Sequence, residues 1–319
     1  MRVLVAGSTG AIGIPLVRQL VARGHQVIAT TRRVDRAERL RGLGATVTTM
    51  DGLDAASVGE AVARAQPDAI IHQMTALSGK PDMRHFDRWF AATNALRTTG
   101  TRNLLAAAQA AGVRRLIAQS YAGWNIDRSG HGPATEREPL DAHPVPAQRE
   151  TLAAIRFLER AVTEAPLAGI VLRYGVFYGA GASDAFVHLV RRRMIPIIGS
   201  GAGVWSWIHV DDAAAATIAA LERGEPGIYH VADDAPAPVA EWLPYLAQVA
   251  GAKPPRRIPT WLGRLVAGDV IVRMMTEVRG VSNEKAKWVL DWRPRWTSWR
   301  DGFRHALGQP ATDRREAAA

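Results

Sequence analysis

Along the first half of the chain, short runs of β-branched and other apolar residues alternate with stretches whose apolar positions recur every three or four residues. The runs are "RVLVAG", "QVIATT", "ATVTTM", "DAIIHQ", "RRLIAQS" and "GIVLRYG". Between the first two, Ile12, Leu16 and Leu20 stand four apart, as on one face of a helix. Pro15 falls in that helix's first turn, where its missing N–H has no intrahelical partner to lose. Strands alternating with helices predict an α/β fold, a Rossmann-like doubly wound parallel sheet. After about residue 175 the alternation gives way to loops rich in Gly, Pro and Trp, broken by a strand and helix in "WSWIHVDDAAAATIAALERG". The pattern predicts a first domain over 1–175, to which the chain returns at about 206–231, and a smaller second domain over 176–319.

The turn between the first strand and first helix reads "VLVAGSTGAIG" and contains Gly7, Gly10 and Gly13. The first glycine permits the tight turn, the second lets a pyrophosphate approach the backbone, and the third lets helix and strand pack closely at the helix's positive end. Ser8, Thr9, Ala11 and Ile12 complete this expected dinucleotide cradle. An acid at the end of the second strand would bind the adenine ribose hydroxyls and repel a 2′-phosphate; here Thr30 and Thr31 are followed by Arg32 and Arg33. NADP(H) is therefore favoured, with NAD(H) as the alternative. After the third strand, "MDGLD" offers Asp51, Gly52 and Leu53 to an adenine, with Asp51 accepting from its amino group. Gln73, Met74 and Thr75, after the fourth strand, join the expected cofactor contacts. The first domain thus reads as NAD(P)-binding and the second as substrate-binding.

Composition narrows the function classes. The chain has 319 residues, 47% of them hydrophobic and 22% charged, and no apolar run approaches the roughly 18 residues of a membrane span. The apolar run near the amino terminus is too short for a secretory signal and reads as a buried strand. Zero cysteines exclude disulfides, iron–sulfur clusters and thiol catalysis, and fit a cytoplasmic location. The net charge of +10 comes from scattered arginines, so nucleic-acid binding is not expected; only Arg191, Arg192 and Arg193 are consecutive. No His/Asp/Glu set has metal-ligand spacing, and no metal is expected. The end, "ATDRREAAA", reads as a frayed tail.

The ordered segments "GSTGAIG", "DGLD", "TNALRTTGTRNLLAAAQAAGVRRLIAQS", "VLRYGVFYGAG", "WIHVDDAAAA", "GIYHVADDAPAP" and "NEKAKWVLDWRP" resemble the extended short-chain dehydrogenase/reductase family of the NAD-dependent epimerase/dehydratase type. The resemblance implies a Rossmann domain carrying the cofactor, a small substrate domain, and an active site between them. It is compatible with a homodimer through paired helices. It also implies a Ser or Thr after the fifth strand and a Tyr-x-x-x-Lys pair on the next helix, the tyrosine moving a proton and the lysine holding the nicotinamide ribose.

That pair is absent. Tyr121, Tyr174, Tyr178, Tyr229 and Tyr245 are followed four residues later by Asn125, Tyr178, Ala182, Asp233 and Val249. By register the tyrosine would fall near Pro146 or Ala147 and the lysine near Glu150 or Thr151, with Arg149 beside them as a cation for the ribose or a phosphate. In "LIAQSYAGW" the family hydroxyl aligns with Ser120 or Tyr121, so Tyr121 becomes the candidate proton donor and Ser120 a candidate substrate hydrogen-bonder. A phenol without a nearby lysine donates a proton more readily than it accepts one at neutral pH, which favours reduction. Asn94 matches an asparagine that supports the family's active-site backbone, and Tyr174 closes the expected cofactor set.

Sugar-nucleotide members usually place an arginine before the "hVdD" segment, where this chain has Trp205. A small, mainly apolar substrate is expected, bound by Trp124, Phe177, Trp205 and Trp207; the arginine triplet keeps an anionic substrate open. The leading reading is NADP(H)-dependent reduction of a carbonyl-like group. Its rivals are a cofactor-bound epimerase, dehydratase, isomerase or lyase, and a non-catalytic NADP(H) sensor.

Overall fold

The computed structural model describes residues 1–77 and 82–308; the tail "ATDRREAAA" lies outside the described residues. The amino-terminal half runs β1 (Arg2–Ala6), α1 (Gly13–Ala22), β2 (Gln26–Thr31), α2 (Ala37–Gly42), β3 (Thr46–Thr49), α3 (Ala55–Ala65), β4 (Ala69–His72), α4 (Phe86–Ala95), α5 (Thr101–Ala110), β5 (Arg115–Tyr121), α6 (Arg149–Thr163) and β6 (Ala168–Tyr174). A five-residue π-helical turn, Leu96–Gly100, joins α4 to α5. The remainder contains β7 (Val176–Tyr178), α7 (Asp184–Arg191), β8 (Ile197–Ile198), β9 (Val204–Trp205), β10 (Trp207–His209), α8 (Val210–Arg223), β11 (Gly227–Val231), β12 (Ala237–Pro238), α9 (Val239–Val249), β13 (Arg257–Ile258), α10 (Thr260–Thr276), α11 (Glu284–Val289) and α12 (Trp299–Gly308).

Seven strands form one parallel sheet in the order β11-β6-β5-β4-β1-β2-β3. The first six are those the hydrophobic runs predict. Side chains alternate between the two faces, and helices cover both. Val3 and Val5 join Leu16, Leu20, Ile218 and Leu221 of α1 and α8. Leu4 and Ala6 join Val58, Leu104, Leu158 and Val162 of α3, α5 and α6. The "WSWIHVDD" strand departs from the expected return: β10 pairs with β7, outside the large sheet, and β11 supplies the seventh strand. Strand order reverses between β1 and β4, which opens a crevice at their carboxyl ends, where open α/β sheets bind ligands.

A separate core forms in the carboxy-terminal half. Trp205, Trp207, Trp242, Trp299, Tyr178 and Phe303 pack in it, with Trp207 edge-on to Trp242 at 4.9 Å and to Phe303 at 5.0 Å between ring centroids. Such pairs are each worth about 0.5–1.5 kcal/mol beyond their burial.

Candidate active site at the carboxyl edge of the sheet

The cradle at the start of α1 has the geometry its glycines require. Gly7 has φ +96°, and a Cβ there would stand 2.5 Å from the Gln73 carbonyl oxygen. A Cβ on Gly13 would stand 2.6 Å from the Ser8 carbonyl oxygen, so only glycine lets α1 approach the turn this closely. Ser8 is consumed by the scaffold: its hydroxyl donates to the Val5 carbonyl at 2.6 Å and accepts from the Thr30 amide at 3.1 Å. Thr9, Gly10 and Ala11 border a cleft of about 420 Å³, closed opposite by Asp35, Arg36 and Arg39 and by Ala180 and Gly181. A glycine cradle opening into a cleft of this kind fits a dinucleotide.

The cations of this cleft differ from those the sequence singles out. Arg32 and Arg33 are exposed, and Arg33 pairs with Asp35 at 2.6 Å. Thr31 is buried, its hydroxyl bonded to the backbone of Arg33. Arg36 and Arg39 line the cleft instead, because the chain turns into a short 3₁₀ segment at Val34–Arg36 and then α2. The signal was present in the repeated arginines of "RRVDRAER".

On the adenine side, Asp51 Oδ1 accepts from the Leu53 amide at 3.1 Å, and Leu53 is exposed. A Cβ on Gly52 would meet Met74 Sδ at 2.6 Å, so Gly52 and Met74 pack together. Thr75 is exposed beyond β4. Gln73 and Tyr174 turn into the core: Gln73 Nε2 donates to the Tyr174 hydroxyl at 3.1 Å, and that hydroxyl shares a 2.7 Å bond with Thr217 Oγ1. Burial pushes the Tyr174 pKa up to about 12. Tyr174 is therefore a core residue, contrary to its assignment to the cofactor surface.

Helix α6 carries no acid–base pair. Asp87 caps it, accepting from the Glu150 amide at 3.0 Å and the Thr151 amide at 2.8 Å. The Thr151 hydroxyl donates to Asp87 Oδ1 at 2.6 Å and accepts from Asn94 Nδ2 at 3.0 Å. Thr151 thus lies where the site asparagine faces α6, one turn beyond the register expected for the tyrosine. Four residues on, Ile155 is buried with Trp124, Phe86 and Val270. Arg149 is exposed at the helix start.

The sequence missed Arg97. The π-turn packs against α6 and brings this side chain to 8% exposure, with Nη1 donating to Asn94 Oδ1 at 3.3 Å and the guanidinium 5.7 Å from the Phe90 ring centre. Burial lowers its pKa to about 10. Among the described residues no carboxylate pairs with it; Glu159, whose charge it feels, is held by Arg173. A π-turn leaves no periodic signature from which this inward turn could be read.

The two hydroxyls at the end of β5 separate. Ser120 points toward α6, its hydroxyl donating to Glu159 Oε1 at 2.7 Å, while Arg173 grips the same carboxylate at 2.8 and 2.6 Å. Ser120 is a structural link and is corrected as a substrate contact. Tyr121 faces the other way, onto a gap of only about 10 Å³ shared with Gly123, Trp124, Val176, Trp205, Met274 and Val278, which must widen to admit a substrate. Burial pushes its pKa up, which keeps the phenol protonated. Of the four expected apolar contacts, Trp124 and Trp205 line this cleft, Trp205 with its Nε1 donating to the Met274 carbonyl at 2.7 Å. Trp207 is corrected: at 1% exposure it belongs to the carboxy-terminal core. Phe177 packs on Tyr174 and the α1/α8 core, away from the cleft.

The model of the NAD dependent epimerase/dehydratase family matches residues 3–232. The chain belongs to this family. A Streptomyces protein named 3-diazoavenalumate denitrifying reductase is 45% identical over 311 residues, covering 95% of this chain and 99% of that protein. The 2-alkyl-3-oxoalkanoate reductase of Stenotrophomonas maltophilia is 29% identical over 270 residues, 79% of this chain and 76% of its own. Among solved structures, the UDP-glucose 4-epimerase of Thermus thermophilus in complex with NAD superposes with a TM-score of 0.75 at 24% identity, covering 97% of this chain and 98% of that one. As a family member with named reductases among its relatives, the protein is an NAD(P)-dependent oxidoreductase. No helix among the described residues is long and apolar enough to cross a membrane.

Proposed function

We propose that the protein is an NADPH-dependent reductase of a small aromatic substrate bearing a diazo group, and that it needs no proton from α6. The observation that carries this reading is the face of α6 itself, where Thr151 is locked between Asp87 and Asn94 and Ile155 is buried. A carbonyl acquires alkoxide charge as it is reduced and calls for an acid in the transition state. An arenediazonium does not: two electrons and one hydrogen, delivered as hydride, give arene and dinitrogen with the charge balanced. When bound, the reduced nicotinamide supplies that hydride. The 45% identity to a diazo-compound reductase supports the substrate class.

The chain's own part is to bind, orient and exclude water. Gly7, Gly10 and Gly13 hold the pyrophosphate, and Arg36 and Arg39 read the 2′-phosphate. Arg97 supplies, from the π-turn, the cation that α6 lacks, and meets the nicotinamide ribose. Tyr121 and Trp124 present aromatic faces to a cationic, planar group, an attraction of about 0.5–2 kcal/mol each when desolvated. The apolar cleft keeps water from the electrophile. Residues 176–319 contribute the substrate side through Trp205 and Met274.

The test is anaerobic turnover of a carboxylated arenediazonium with NADPH deuterated at C4. Dinitrogen and oxidised cofactor should appear in equal amounts, with deuterium at the carbon that carried nitrogen. Turnover of ketones alone would overturn the proposal. A second reading, carbonyl reduction with Tyr121 as donor, is favoured by the 29% identical 2-alkyl-3-oxoalkanoate reductase and by the protonated phenol in the cleft. Tyr121→Phe separates the two: it should cost ketone reduction about 10²–10⁴-fold, and leave diazo reduction within about threefold, the residual effect of altered packing.

A further inference from the structure

One face of the carboxy-terminal half combines exposed apolar side chains with an excess of positive charge. The first two turns of α10 carry Trp261 at 67%, Leu265 at 66% and Val266 at 52% exposure. At 100° per residue these three fall within an arc of about 140°. The loop before β8 adds Met194 at 53%. This loop and the approach to α10 are tied together: β8 pairs with β13, Arg193 Nε donates to the Pro254 carbonyl at 3.0 Å, and Arg191 Nε donates to the Ala250 carbonyl at 3.2 Å. Both bonds are to neutral carbonyls, so the charges persist. Residues 189–198 contain three arginines, residues 250–268 contain three arginines and a lysine, and neither stretch contains an aspartate or glutamate. The nearest acid in sequence, Asp269, pairs with Arg264 at 3.3 Å.

We infer that this face docks on an anionic lipid surface, with Trp261, Leu265 and Val266 entering the headgroup boundary and the surrounding cations meeting lipid phosphates. Exposed tryptophan and aliphatic residues on one arc of a helix, with arginine and lysine in the adjoining segments, suit a contact with the membrane interface. The contact is peripheral. Charge disfavours a second copy as the occupant, because an isologous contact would set the same seven cations against each other. The position suits delivery of an apolar substrate. At Gly268, φ +86°, the helix breaks, and beyond the break Val270 and Met274 pack against the apolar cluster that contains Trp124.

The test is co-sedimentation of the full chain with vesicles of phosphatidylcholine alone and of phosphatidylcholine with phosphatidylglycerol. The protein should pellet with the anionic vesicles, remain in solution with the neutral ones, and be released by high salt. Trp261→Glu with Leu265→Glu should lower the bound fraction about 10-fold, with cofactor affinity and thermal midpoint unchanged. Equal binding to both vesicle types, no binding, or retention by the double variant overturns the inference. A shift from dimer to monomer in the double variant, in the absence of vesicle binding, assigns the face to a second copy instead.

Discussion

Asp233, just past β11, sets how stability falls on the alkaline side. Its carboxyl is 1% exposed, Oδ1 accepts from the Ala235 amide at 3.1 Å, and Oδ2 has no partner. Burial, aided by the charges of Asp234 and Asp212, pushes its pKa up to about 8. In the unfolded chain an aspartate titrates near 3.9, so between about pH 4 and 8 the folded protein holds a proton that the unfolded one has lost. The contribution of Asp233 to stability then decreases by about 1.4 kcal/mol per pH unit across that window. Below about pH 6.5 the trend is opposed by three buried histidines, His72 and His209 held down to about 4 and His230 to about 3, which take up protons only on unfolding. Stability should peak near pH 7 and fall by only about 0.5 kcal/mol by pH 8, because the loss of about 1.7 kcal/mol from Asp233 between pH 6.5 and 8 is largely offset as the histidines of the unfolded chain give up their protons. Urea denaturation followed by tryptophan fluorescence at pH 6.5, 7.2 and 8 measures this directly. Asp233→Asn keeps the acceptor for Ala235 and removes the titration, so relative to this variant the wild type should lose about 1.7 kcal/mol between pH 6.5 and 8. A stability difference between wild type and variant that stays constant over this interval would refute the reasoning.

Gly13→Ala puts a Cβ against the Ser8 carbonyl and should weaken NADPH binding about 10–100-fold, or about 1.4–2.7 kcal/mol, in a protein that still folds; unchanged affinity by calorimetric titration would remove the cradle from the cofactor site. Arg36→Ala combined with Arg39→Ala should cost NADP at least about 10-fold more than NAD, whereas Arg32→Ala with Arg33→Ala should cost both little. Equal losses in the first variant would place the phosphate elsewhere. Arg97→Met should weaken NADPH about 10-fold while leaving adenosine 2′,5′-bisphosphate, which lacks the second ribose, unaffected, and Arg97→Lys should recover part of the loss. A fall in affinity for both ligands would make Arg97 a scaffold residue.

The sheet was legible because fully buried parallel strands and amphipathic helices each leave a local period, and the glycine turn because its steric demands are local too. The side-chain assignments at the strand ends were less so. Ser120 and Tyr121 are adjacent and point to opposite faces of β5, so an uncertainty of one residue in alignment exchanged a scaffold link for a cleft residue. Trp205 and Trp207 share one face of an alternating pattern, yet only the packing of α9 and α12 decides that Trp207 is sealed off. Arg36, Arg39 and Arg97 depend on where a 3₁₀ segment and a π-turn point their side chains, and neither has a hydrophobic signature.

The ties that hold α6 have a consequence for how such a protein changes over time. The helix is pinned at its start by Asp87 and near its far end by Glu159, which binds Ser120 and Arg173 across two strands. Thr151 joins the first tie with its hydroxyl, but Ile155, between the pins, makes no such tie and is buried among Phe86, Trp124 and Val270. An apolar exchange of similar volume there leaves both pins in place, whereas a polar or much smaller side chain costs folding stability. Over time such a helix keeps its ties while its packed face drifts only among apolar residues, so a polar or charged group at position 155 would require compensating changes around it.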